Sequence, residues 1–134
     1  MTQEYKDLLL KDLCARLPYG VKCSHKNKDI YSLTCIDLEY NYIFIKHIGG
    51  LKIGEPDIKT IKPYLFPLSS MTEEQKENAL PLLNNCDYYI IDGTIKWLDN
   101  CPIAFFDWCN KHHFDYRGLI PKGLANDATG LNIY

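Results

Sequence analysis

Residues 19–53 constrain the fold most, because they are written in strand-forming residues with connections too short for a crossover. Residues 29–38 and 42–48 are rich in Ile, Tyr, Phe and Thr, which suit a pleated, half-buried surface. Residues 19–23 read as a strand before them. His25, Lys26, Asn27 and Lys28 form a polar turn, and Gly49-Gly50 closes the last segment. Parallel neighbours need a connection of about a dozen residues or more. None fits here, so the expectation is a three-stranded antiparallel meander. Its alternation is imperfect, which leaves the register open.

The flanking segments have a different period. Residues 3–17 read as a helix capped by Thr2, with Glu4 in the first turn, where a negative charge suits the macrodipole. Tyr5, Leu8, Leu9, Leu13 and Leu17 form its apolar stripe, and Lys6, Asp7, Lys11 and Asp12 fall on the other side. Pro18 and Gly20 end it. Residues 54–70 form a connector broken by Pro56, Pro63 and Pro67, expected to cross the core edge in an extended state.

Thr72-Glu73-Glu74-Gln75 is a capping box that opens a helix, although residues 70–73 fit the same template. Pro81 ends or kinks that helix. Residues 86–91 suit a fourth strand or more helix, followed by a turn at Asp92-Gly93. Asn100 and Pro102 start a helix reaching His112 or His113. Residues 114–124 read as a structured loop, and 126–134 are weakly determined. The expected architecture is α+β: one domain over residues 1–134, with an N-terminal helix, a three- to four-stranded antiparallel meander and C-terminal helices. A chain of 134 residues can bury enough surface to fold without a metal or disulfide.

Charge and composition exclude some classes. A net charge of −2 and only two arginines, Arg16 and Arg117, argue against nucleic acid as a partner. No apolar h-region opens the chain and no run approaches ~20 apolar residues, so a cytoplasmic protein without membrane contact is expected. Its six cysteines are then expected to be reduced and mostly buried.

Residues 108–125 are the densest run of aromatic, ionisable and turn-forming residues. Cys109 and His112 share a helical face with Cys101 and His113 nearby, yet the chain has no C-x-x-C pair, and no metal site is expected. Cys109 with His113 could form a thiolate–imidazole pair, though such neighbours are common on helices. His112, His113 and Asp115 could carry acid–base chemistry, while the same pairing is an ordinary way to hold a helix end. No catalytic residue and no cofactor is assigned. Neither Gly-rich phosphate motif occurs. Arg117 and Lys122, each followed by glycine, could present cations beside backbone N–H groups to a small anion; Arg117 could equally pair with a local acid. Ile103, Phe106, Cys109 and His113 are expected to face the core, with Phe105, Trp108 and His112 to the side. That helix is then buried on two sides or forms a subunit interface, which would make the protein a homo-oligomer.

Residues 13–21 (LCARLPYGV), 61–72 (IKPYLFPLSSMT) and 112–120 (HHFDYRGLI) resemble, in this order, segments of an uncharacterised family of small proteins of Bacteroides-group gut bacteria and their phages. The resemblance implies a phage-associated accessory protein and assigns no catalytic residue. The preferred reading is a non-enzymatic binding protein that sequesters a small anionic, nucleotide-like ligand or inhibits a host protein. Lys62, Tyr64, His112, Tyr116, Arg117 and Lys122 are the candidate ligand-binding residues. A small enzyme using His112, His113 and Asp115, or a purely structural interaction module, are the alternatives. The ligand reading requires the cationic bend after His112 to fold back onto the proline-rich segment.

Overall fold

A computed structural model describes residues 1–26, 29–47, 49–83, 88–91, 94–97 and 103–134, with backbone pairing alone for 88–91 and 94–97. Helix α1 (Gln3–Arg16) starts where Thr2 accepts the Tyr5 N–H at 3.2 Å. Leu9 and Leu13 are fully buried, and Tyr5, Leu8 and Leu17 pack beside them. Asp12, expected on the solvent side, is instead fully buried. The reason is electrostatic: two guanidiniums, one from the same helix and one from the far end of the chain, surround its carboxylate. Gly20 then turns the chain with φ of 70°, a left-handed conformation that costs glycine little.

The meander is present and larger than expected. Strands β1 (Lys22–His25), β2 (Tyr31–Asp37), β3 (Tyr42–His47) and β4 (Lys52–Glu55) follow one another as antiparallel neighbours. Asp37 shapes the β2–β3 turn by accepting the N–H groups of Glu39 and Tyr40, and Asn41 takes φ of 56°. A register shift between Leu33 and Cys35 marks a bulge at Thr34. The proline-rich crossing segment is itself a strand, β5 (Ile61–Pro67), antiparallel to β1.

On its other side β5 has two short parallel partners, β8 (Phe114–Asp115) and β9 (Asn126–Asp127). Pro67 is admissible there because its partner β8 is two residues long and demands few ladder donors. The segment after residue 125, weakly determined by sequence, is held by β9 and by Tyr134. The Tyr134 hydroxyl accepts the Lys22 N–H at 2.8 Å and donates to the Tyr64 carbonyl at 2.8 Å.

The sheet order β4–β3–β2–β1–β5 places two strands between β4 and β1. At about 4.8 Å per strand, a flat sheet would hold those two roughly 14 Å apart. Yet Glu55 on β4 meets His25 on β1 at 2.6 Å. The sheet therefore curls, and its concave side closes on α1 to bury Val21, Cys23, Leu33, Ile43, Ile45, Ile61 and Leu65.

A second cluster lies beyond β5. Helix α2 (Glu73–Ala79) opens on the Thr72–Gln75 capping box, with Thr72 accepting the Gln75 N–H and Gln75 accepting the Thr72 N–H. Helix α3 (Ile103–Lys111) buries Phe105 and Cys109, with Phe106 and Trp108 packed alongside, against Met71, Ala79, Leu83 and Phe114. Ile103, expected in the core, is 73% exposed, because it occupies the first turn beyond the reach of this cluster. Strands β6 (Tyr88–Ile91) and β7 (Thr94–Trp97) form a separate antiparallel hairpin. The Asp92-Gly93 turn and the Asn100–Pro102 helix start lie outside the described residues.

Candidate functional site

The geometry of the cationic bend begins with His113. It leaves α3 with φ of 65°, and its carbonyl accepts the Phe66 N–H at 2.8 Å, which sets β8 beside β5. Asp115 then accepts the Leu119 and Ile120 N–H groups, each at 2.9 Å, and ties the bend into a closed loop. Burial pushes the Asp115 carboxyl above its ordinary range, against the pull of these two amides. Tyr116 is buried and accepts from Arg117 Nη2 at 2.8 Å. Arg117 Nε lies 3.2 Å from Asp12, and its guanidinium sits 4.8 Å from the Tyr116 ring centre. Arg117 therefore faces an acid on α1 rather than Asp115.

The neighbouring groups are structural in character. His113 is stacked on Tyr134 at 3.6 Å, and its pKa is lowered to about 4 by burial, helped by Arg16, His112 and Lys22. His112 rests on Trp108 at 4.5 Å. The Cys109 thiol is pushed up to about 12 by burial, so it stays protonated at neutral pH and is a poor nucleophile. Cys23 is also buried, whereas Cys14 and Cys35 are exposed; Cys86 lies outside the described residues. No group of three potential metal ligands occurs among the described residues, and Cys101 lies outside them.

His113 carries a pH prediction. In the unfolded chain its imidazole protonates near the usual 6.5, while in the folded chain it resists until about 4. The unfolded state thus binds the proton first as pH falls, and stability declines across the window from about 6.5 to about 4. His113→Asn keeps a residue that tolerates left-handed backbone. The drop in urea midpoint between pH 7.5 and pH 5 is expected to shrink in that variant; an unchanged drop would assign it to other groups.

The bend does fold against β5, but the candidate residues divide between two environments. Lys62 and Tyr64 line a recess of about 570 Å³ where β1, β5 and β9 meet; His112, Tyr116, Arg117 and Lys122 do not line it. Its remaining walls are Ser24, Lys26, Lys59, Thr60 and Asn126. Strand register explains the convergence, since Ser24 pairs with Lys62, and Asn126 with Tyr64, putting all four on one sheet face. Asn126 Nδ2 donates to Ser24 Oγ at 2.9 Å and leans on the Lys62 carbonyl at 3.3 Å, which orients its amide.

Three lysines and no carboxylate line the recess. Lys26 reaches Glu55 at 3.6 Å and Lys59 reaches Asp57 at 3.3 Å, neither acid being part of the wall. Lys62 is exposed and forms no ion pair among the described residues. A second recess of about 540 Å³ adjoins it, sharing Tyr64 and Asn126 and walled by Ile30, Ala125, Leu131 and Ile133 besides Asp127. Sequence reasoning missed Ser24, Lys26, Lys59, Thr60 and Asn126. The signal was the alternate polar residues of 22–26, meaningful only once β1 is known to lie against β5.

Comparison with protein-family models, curated proteins and solved structures returns no match. No helix among the described residues is long and apolar enough to cross a membrane.

Proposed function

We propose that this chain is a non-enzymatic binding protein that holds a small anionic, nucleotide-like ligand in the recess between β1, β5 and β9. The observation that carries the reading is the wall composition: Lys26, Lys59 and Lys62 converge with the Ser24 and Thr60 hydroxyls and an oriented amide, and Lys62 has no acid partner among the described residues. Such a surface offers donors and positive charge to phosphate or carboxylate oxygens. The adjoining apolar recess across Tyr64 suits the flat or apolar remainder of the same ligand. An accessory role in a phage, sequestering such a ligand from its host, is the setting that the resemblance of three chain segments implies.

The enzymatic alternative gains less support. Asp115 engages two backbone amides, and His113 is buried against Tyr134, so neither is poised to exchange protons with a bound molecule. The host-protein reading has one observation of its own. Leu38 and Tyr40 at the β2–β3 turn are 64% and 68% exposed, a small apolar tip of the kind that contacts partners.

Calorimetric titration with inorganic phosphate and a panel of nucleoside mono- and triphosphates tests the reading. Lys62→Glu is expected to weaken the tightest nucleotide by at least about tenfold, or 1.4 kcal/mol. Affinity should also fall as salt rises. Absence of binding across the panel, or full retention in Lys62→Glu, would remove the recess as the site.

A further inference from the structure

We propose that the outward face of β1–β4 is a track for single-stranded nucleic acid, using residues distinct from the recess. The strand register lines up Lys52, Lys46, Ser32 and Lys22 as successive cross-strand partners on β4, β3, β2 and β1. Partners in register point to the same face. That face is the outward one, because the alternating residues Leu33, Ile43 and Ile45 are buried against α1. Three ammonium groups therefore project from neighbouring positions on the convex face of the curled sheet, on β4, β3 and β1. The net charge of −2 conceals this, since the fold gathers lysines here while Glu73, Glu74 and Glu77 stand on or beside α2.

The row is unfavourable for folding. Lys46 and Lys52 are direct partners, and like charges so placed repel. Lys22 donates to Ser32 Oγ at 3.2 Å instead of to an acid. None of the three forms an ion pair among the described residues. A polyanion laid across the strands would relieve that repulsion.

The aromatic rings choose the polyanion. Tyr42 and Phe44 stack at 6.1 Å on the same face, and Tyr42 is 39% exposed. Phe44 lies against Gly54, where an added Cβ would sit 3.1 Å from its ring, so glycine there gives the ring its room beside the row. Lys52 Nζ stands 5.8 Å from the Phe44 centre. Flat rings next to a line of cations suit unpaired bases and their phosphates, and serve any base sequence. A duplex hides its base faces, and reading its major groove favours arginine, whereas Arg16 and Arg117 are both engaged around Asp12.

Fluorescence anisotropy with a labelled 15-nucleotide thymidine oligomer, its RNA counterpart, a duplex of equal length and poly-glutamate tests the proposal on the full chain. Single strands are expected to bind, more tightly than duplex or poly-glutamate. Lys46→Glu/Lys52→Glu should weaken them at least tenfold and reduce the salt slope by about 1.4, at ~0.7 per lost phosphate contact. Tyr42→Ala should weaken binding about tenfold with the slope unchanged. Lys46→Glu alone should weaken binding while leaving the thermal midpoint equal or higher, because it sets an acid opposite Lys52. Lys62→Glu should change oligomer affinity less than threefold, which separates this track from the recess whether or not the recess binds nucleotides. Absent single-strand binding at low salt, equal affinity for duplex or poly-glutamate, or indifference to Lys46→Glu/Lys52→Glu overturns the proposal.

Discussion

Arg16→Ala is expected to cost about 3–5 kcal/mol, the loss typical of breaking a buried ion pair from one side. Arg16 is fully buried near the end of α1. Its Nε donates to Asp12 at 2.8 Å, Nη2 to the Phe114 carbonyl at 2.7 Å and Nη1 to the Cys109 carbonyl at 3.3 Å. One side chain thus ties the helix of the first core to both α3 and β8 of the second. Removing it leaves the buried Asp12 carboxylate with Arg117 alone and two carbonyls without this donor, one of them near the C-terminus of α3.

Asp12→Ala should be similarly damaging, for the opposite reason: Arg16 and Arg117 would face each other with no carboxylate between them. Replacing both members of the pair, as Asp12→Leu/Arg16→Met, should recover part of the loss and no more, because the carbonyls of Cys109 and Phe114 would still lack the guanidinium. Urea denaturation of the three variants measures this. A loss below about 1 kcal/mol in Arg16→Ala would mean that the network tolerates dissolution, and would separate the two cores energetically.

Phe114→Ala should cost a comparable 3–5 kcal/mol. The ring is essentially buried, stacks on Trp108 at 5.4 Å and meets Phe66 at 5.7 Å. Its backbone sits opposite Phe66 in the β5–β8 pair. Truncation leaves a cavity lined by rings that cannot collapse into it without disturbing that pair. Phe66→Ala is the control: Phe66 is half-buried, and its loss should be smaller. Equal midpoints for wild type and Phe114→Ala in chemical unfolding would show that α3 and β8 are not anchored through this ring.

Much of the local structure was legible because its causes are local. The α1 stripe, the Thr2 cap and the Thr72–Gln75 box depend on residues within one or two helical turns. The meander followed from short connections between β-rich segments. The extra strands β4 and β5 were hidden by Pro56, Pro63 and Pro67, which read as breakers, whereas Ile61–Pro67 is a strand whose partners come from distant parts of the chain. Of the candidate site, Lys62 and Tyr64 reach the recess, while Arg117 turns toward Asp12, a partner 105 positions away in sequence (117 − 12) that no window of neighbouring residues contains.

Residue order alone determined where α1 and α2 begin, which stripe of α1 is apolar, and that the strands after it run antiparallel, since periodicity, caps and loop lengths are short-range. Only the folded chain decided that Asp12 and Arg16 are interior, that Lys26, Lys59 and Lys62 share one recess, and that Lys22, Lys46 and Lys52 stand in a row. The physical reason is register and curl. A one-residue slip would turn each lysine to the opposite face, and a flat sheet would part Glu55 from His25.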